Sequence, residues 1–479
     1  MVWTCLGHAM WLVDTTPPAR PDGLTPAPGT RILFDPLLAD AHHEGVFEVF
    51  PPRVLDVAAL RPDLVVVTHR HPDHFDVASL AMLATLEPRP LLVTPDVLVG
   101  WAAERLGFEV CLLGTWEPLR LDGAVLLPTP SFCDVVEWGM LVATPDAVAW
   151  NQVDTELRSP ADVRAVLGRA AELLERPALA TGPDLAIVRW QPLRQISAVL
   201  GSARSFPTAG YRQQLDLVAA TGARAAIPGA AGARYAPDYA WLDAHAFPVP
   251  EARFLRDLGR RCPGTAAWPA RIGGRWHVGA AGTTPLDDEP TVRVLDVPDT
   301  RRFAPWSIPD LVDATPAAGD RAEVEAWLTG SLLPALAAHP SRLDGPARFA
   351  LRVIYEGGPV DRTFVVSHER AEPVGIHEGL DEDYDAAVAI TGSALAGVIA
   401  GRSHWGRPLL GGLLRATTRA YRVDEHGLHA AAIPPIFLYL GLSYDAAFVA
   451  WVEGQVAAHA PAHSPDDTPD DAPGHAPAT

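Results

Sequence analysis

Residues 63–74 read Asp63-Leu64-Val65-Val66-Val67-Thr68-His69-Arg70-His71-Pro72-Asp73-His74, and this stretch decides the fold. Leu64 to Val67 is a short unbroken apolar run, the pattern of a strand buried on both faces of a sheet. The chain then turns at once into H-x-H-x-D-H. Two histidines at i and i+2 on an extended segment point to one side, and the aspartate and histidine of the following turn face back towards them. Four donors at the C-terminal end of a buried strand can hold two metal ions. His69 and His71 are expected on one ion, Asp73 and His74 on the other.

Strand and helix signals alternate on both sides of this motif. Residues 2–13 and 30–34 read as strands around a Pro/Gly-rich turn, 76–86 as a helix, and 90–94, 109–113, 124–128, 139–144 and 147–150 as strands. Ser159 followed by Pro160 opens a helix over 159–175 with a favourable cap. A strand at 184–188, a helix at 210–221 and a strand at 225–228 complete an α/β layer. Residues 286–320, rich in Pro, Asp and Thr, are expected to link to a second unit spanning 321–455. There the pattern gives a helix at 323–338, strands at 347–356, 363–369 and 385–391, and a helix at 393–400. Residues 456–479 lack periodicity and are expected to be disordered.

The chain has 479 residues, 48% hydrophobic and 20% charged, the balance of a soluble protein with two or three domains of about 100–200 residues each. A net charge of −20 argues against a nucleic-acid partner. All 38 basic residues are arginine, so lysine-dependent chemistry such as a P-loop or a Schiff base is excluded. Cys5, Cys111, Cys133 and Cys262 form no C-x-x-C pair. That argues against a zinc knuckle, an iron–sulfur cluster or a disulfide framework, and a reducing cytoplasm is the expected compartment. Residues 1–14 have no basic region ahead of their apolar stretch and are not expected to act as a secretory signal. No run of about 18 apolar residues predicts membrane insertion.

The motif resembles that of the metallo-β-lactamase superfamily, and the likeness extends to neighbouring segments. Gly7-His8-Ala9 before an apolar run, with Ile32-Leu33-Phe34-Asp35-Pro36, is similar to the opening hairpin of the branch beginning G-H-A…D-P. Val153-Asp154-Thr155 is similar to the family's G-D-T, whose aspartate bridges both metals. The resemblance covers 1–285. It implies an α/β, four-layer αββα sandwich with the metals at the sheet edges, Asp154 as bridge, and Asp73 and Asp154 as catalytic carboxylates.

The departures from that pattern bear on the metal. Zinc hydrolases of the family carry a histidine ahead of the bridging aspartate, but residues 130–138 contain none and offer Asp134 and Glu137. Glu137 is the expected replacement ligand. The family's last histidine follows a strand, and this chain has Pro228-Gly229-Ala230 there; His245 is the possible substitute. His8, Asp134 and Asn151 are further possible ligands or supports, Asn151 being read first as a turn residue and alternatively as a donor orienting Asp154. Asp35 reads as a structural turn residue beside the site. A carboxylate in place of the third histidine is similar to the diiron oxygenases of this fold. Two divalent ions are implied, iron favoured over manganese or zinc.

Thr391-Gly392-Ser393 and Gly411-Gly412-Leu413 resemble the pattern of the sterol-carrier-protein-2-like domain, an α+β unit that binds hydrophobic ligands, and this resemblance covers about residues 320–455. His368, His377 and His404 lie outside the metal domain and are expected at the surface. Three functions stand open. One is a diiron oxygenase acting on a small-molecule substrate with an external electron donor. Another is a hydrolase of an ester, amide or phosphodiester that uses metal-activated hydroxide. The third is a carrier with a vestigial metal site and a hydrophobic ligand in the C-terminal domain.

Overall fold

The computed structural model describes residues 1–15, 29–133, 135–192, 206–230, 232–298, 308–338, 345–367, 375–430 and 444–460. Two large sheets face each other. The first orders its eight strands Gly282–Leu286, Arg275–Gly279, Val2–Gly7, Met10–Asp14, Arg31–Phe34, Leu64–Val66, Leu91–Thr94 and Val110–Leu112. The second has seven: Leu119–Leu121, Ala124–Pro130, Trp138–Ala143, Val148–Asn151, Leu185–Val188, Ala225–Pro228 and Ala266–Ala267. Strand Leu64–Val66 runs parallel to both its neighbours, Arg31–Phe34 and Leu91–Thr94. An apolar run with no polar face belongs in such a place.

The period of two sorts this run between layers. Leu64 and Val66 point inward to Trp3, Phe34, Met140 and Ile187, in the core between the sheets. Val65 and Val67 point outward to Leu80 and Val99 of helices Val77–Leu83 and Val97–Arg105. On the far side Leu141 and Trp150 pack on Val163 and Leu167 of helix Pro160–Leu173. Beside them Val188 packs on Val218 and Phe254 of helices Thr208–Ala220 and Glu251–Arg261. The body is a four-layer αββα sandwich. Asp76 closes the metal-motif loop by accepting the Ser79 backbone N–H at 2.9 Å, which starts the next helix at once.

The smaller α+β unit has five strands, ordered Gly375–Glu378, Gly358–Val366, Ala347–Tyr355, Ala386–Thr391 and Leu414–Thr418. Phe349, Leu351 and Val353 alternate onto one face, covered by Val324, Trp327 and Leu395 of helices Asp320–Trp327 and Gly392–Ile399.

Four expectations need correction. Residues 2–13 are two strands folded back at Gly7 and His8, both with left-handed φ. The segment 286–320 is no simple linker, because Val292–Val294 pairs with Arg53–Leu55 of the first body. Residues 456–459 are helical, as part of Tyr444–His459; residues 461–479 lie outside the described residues. That helix also breaks the expected boundary at 321–455. Its Phe448, Trp451, Val452 and Val456 pack into the outer core of the first body, against the cluster holding Leu80 and Val99.

Candidate metal centre

The parallel strands deliver their chain ends to one rim of the sandwich. Asp35 directly follows strand Arg31–Phe34 and is fully buried. Its carboxylate accepts the Thr68 backbone N–H at 2.8 Å and the Thr68 hydroxyl at 2.9 Å. It also lies 3.0 Å from His74 Nδ1. This contact turns His74 Nε2 towards the centre, 3.4 Å from Asp73 Oδ2 and 3.4 Å from Asp154 Oδ2. A carboxylate behind a histidine ring is how proteins aim an imidazole at a metal.

His69, fully buried, has its ring 4.1 Å from that of His74 and 4.5 Å from that of His71. Its Nε2 lies 2.8 Å from His71 Nδ1 and its Nδ1 3.7 Å from Glu137 Oε1. His8 Nε2 bonds Asp73 Oδ2 at 2.8 Å. Two sets of donors therefore lie within one coordination sphere each: His8, Asp73 and His74, and His69, His74 and Asp154. Asp154 comes from the second sheet. Asn151 accepts the Val153 N–H at 3.2 Å, Val153 takes a left-handed φ of 53°, and Arg189 holds the Asp154 carbonyl at 3.3 Å.

Strain gathers at this rim. Of the nine non-glycine residues with left-handed φ among the described residues, His8, Asp35, His43, Glu44 and Val153 flank the centre. Each costs about 1–3 kcal/mol and persists only where its surroundings over-determine it. The site's scaffold is thus held by its hydrogen bonds rather than by local backbone preference.

The electrostatics show what the cluster wants. Burial, reinforced by repulsion from Asp154, pushes Glu137 up to about 7. Burial opposes ionisation of Asp73 and Asp154 as well, but His74 overrides it and holds both well below the usual carboxylate range. His74 is the reverse: burial lowers it, and Asp73 with Asp35 raises it well above an ordinary histidine. His69 is driven far down by burial, then by His74 and His71. Three carboxylates crowded among buried imidazoles are short of positive charge, and the donor set fits a pair of divalent cations.

The sequence reading and the structure differ at several residues. Asp134 lies outside the described residues. His245 sits on the short helix Asp243–Ala246 with its ring 6.4 Å from Trp241, and joins neither donor set. Gly229 offers no side-chain ligand there, and a Cβ would sit tightly, 3.2 Å from Ile187 and 3.3 Å from the Val188 carbonyl. His404 is fully buried rather than at the surface. His377 is exposed as expected, and His368 lies outside the described residues. Two site residues escaped the sequence reading. His42 and His43 are buried, bonded to each other Nδ1 to Nδ1 at 2.9 Å, with His43 Nε2 4.0 Å from Asp73 Oδ1. The doublet His42-His43 before Glu44-Gly45 was the available signal.

No protein-family model matches the chain. The chain is 31% identical over 98 residues to a mitochondrial N-acyl-phosphatidylethanolamine-hydrolyzing phospholipase D of Saccharomyces cerevisiae, which covers 19% of this chain and 20% of that protein. Among solved structures it is similar to CmlA, a diiron β-hydroxylase from Streptomyces venezuelae. That match has 16% identity and a TM-score of 0.35, and covers 60% of this chain and 54% of CmlA. It is similar also to an isothiocyanate hydrolase from Delia radicum gut bacteria, with 13% identity, a TM-score of 0.36, and coverage of 58% of this chain and all of that one. A sterol carrier protein 2-like 2 from Aedes aegypti matches 20% of this chain over 87% of its own length, at 15% identity and a TM-score of 0.17. The chain thus spans a fifth of the phospholipase and about half of the hydroxylase. With two facing sheets, helices on both outer faces and the H-x-H-x-D-H loop at the rim, the first body has the metallo-β-lactamase fold.

Proposed function

We propose that the chain is a dinuclear metalloenzyme that hydroxylates or otherwise oxidises a small molecule with dioxygen, and that its metal is iron. The observation that supports this most is Glu137, a buried carboxylate 3.7 Å from His69 where a histidine would suit zinc. A donor set rich in carboxylates is harder and favours iron or manganese. His69, His71 and Glu137 would hold one ion, Asp73 and His74 the other, with Asp154 between them. Bound there, the ions supply redox and Lewis-acid chemistry.

The chain's own groups set the stage. Asp35 fixes the His74 ring, Arg189 and Asn151 fix the Asp154 turn, and His8 anchors one oxygen of Asp73. Hydroxylation of a C–H bond consumes dioxygen, two electrons and two protons, and releases water. No flavin or nicotinamide fingerprint stands in the sequence, so the electrons come from an external donor.

A second reading, hydrolysis of an ester, amide or phosphodiester, is favoured by Asp73, an anionic carboxylate at the centre that can orient a metal-activated hydroxide. Metal analysis of protein purified without added metal separates the two. Iron together with reductant-dependent dioxygen uptake is expected; zinc with anaerobic turnover of an ester overturns the oxygenase. Loss of function in His71→Ala distinguishes either enzyme from a carrier with a vestigial site.

A further inference from the structure

The turn His43-Glu44-Gly45 has three successive left-handed residues, with φ of 50°, 55° and 82°. Only the glycine adopts that conformation freely. The two residues before it need an outside hold, and the hold comes from the second unit. Glu44 Oε1 accepts the Ser403 hydroxyl at 2.9 Å and the His404 backbone N–H at 3.4 Å, and lies 3.7 Å from His404 Nε2. Ser403 and His404 are themselves fixed. The Ser403 N–H donates to the Gly397 carbonyl at 3.1 Å, and the His404 ring packs 4.7 Å from Trp451 and 5.3 Å from Phe448. Both aromatic rings are seated in the outer core of the first body.

What this hold positions is His43. Its ring is buried, its Nδ1 meets His42 Nδ1, and the His42 ring stacks on Phe47 at 5.2 Å. His43 Nε2 faces Asp73 Oδ1 at 4.0 Å, while the other Asp73 oxygen is taken by His8 at 2.8 Å. That separation is too long for a hydrogen bond. It fits the span of up to about 4.2 Å between two ligand atoms each about 2.1 Å from one cation. In the tautomer that donates His43 Nδ1–H to His42, Nε2 presents a bare lone pair to a carboxylate oxygen, and a cation between them satisfies both. A ligand histidine whose second nitrogen is bonded elsewhere is the usual arrangement.

We infer that the second unit reaches the metal centre: His43 is an additional ligand of the ion that Asp73 binds, approached through Asp73 Oδ1 and outside the His8, Asp73 and His74 donor set, and the grip of Ser403 and His404 on Glu44 sets its position. Ser403, His404 and Glu44 are positioning residues that act through His43. The inference rests on the two-ion reading of the site.

The test uses the full chain, stripped by chelator and titrated with cobalt(II), read by calorimetry and by the visible absorption of bound cobalt. Wild type is expected to take up two ions. His43→Ala should weaken one of them by about 10–100-fold and alter its absorption band, leaving the other unchanged. Ser403→Ala and Glu44→Ala should weaken the same ion by roughly tenfold. Glu44→Gln, which keeps the acceptor oxygen, should stay near wild type, as should Arg402→Ala, whose exposed side chain pairs with Glu323. If His43→Ala fails to fold, His43→Gln makes the same comparison. Two wild-type-like ions in His43→Ala, or in both Ser403→Ala and Glu44→Ala, overturn the inference while leaving two-ion binding intact. A wild type that takes up no cobalt overturns the two-ion reading and this inference with it.

Discussion

The rim of the two-sheet body and the sheet of the smaller unit treat charge in opposite ways. At the rim His69, His74 and Glu137, beside the buried Asp35, are themselves buried, and their proton affinities leave the ordinary range. On the smaller sheet, Arg352 meets Asp361 at 2.8 Å and Arg348 meets Asp383 at 3.1 Å, with the arginines over 40% exposed. The second pattern pairs cation with anion in water and asks for nothing more. The first leaves carboxylates crowded in a low-dielectric setting, a debt that only added positive charge settles. Charge density alone therefore does not mark a site; charge that is buried and left unbalanced does.

The contrast is sharpest at Asp35, which touches no substrate-facing surface yet holds the His74 ring. Asp35→Ala should weaken metal binding by about 10–100-fold, measured by competition with a chromophoric chelator. Binding like that of wild type would mean that the ring is aimed by packing alone.

Glu137 gives a pH signature of intermediate size. Its folded-state proton affinity, about 7, exceeds the ordinary 4.5. The folded protein without metal then binds more protons than the unfolded chain between these values, so its stability falls as pH rises through that window. Glu137→Gln should flatten that part of the thermal-midpoint profile. Metal uptake near pH 6 should release protons from Glu137 and His74, so the variant should release fewer protons and show a smaller buffer-dependent heat. A buffer-independent heat in wild type would break the assignment.

Arg352→Ala is the smallest expected change. Exposed pairs of this kind contribute about 0.2–1 kcal/mol, so urea denaturation should shift slightly and metal affinity not at all. A lost metal ion in this variant would erase the distinction between the two regions.

How far the sequence carried the reading follows from how local each signal was. The H-x-H-x-D-H loop was legible because its donors are contiguous and the strand before it has no polar face. Asp154 was legible only through the resemblance, as a residue after a strand of the second sheet. His42 and His43 were not, because they sit in a turn whose left-handed backbone is imposed by a contact with Ser403 and His404, some 360 residues away in the chain. His404 was misplaced for the same reason: nothing local tells a histidine which neighbour will bury it. The linker and tail boundaries failed where short segments, Val292–Val294 and residues 456–459, found partners in the first body.

Helix Tyr444–His459 fills the outer layer over Leu80 and Val99, which lie far earlier in the chain. A ribosome makes that filler long after the flank it covers. Until then the nascent sandwich exposes an oily flank. The order of manufacture and the order of assembly are thereby uncoupled, and a protein without residues 444–459 would lose the seal over that flank.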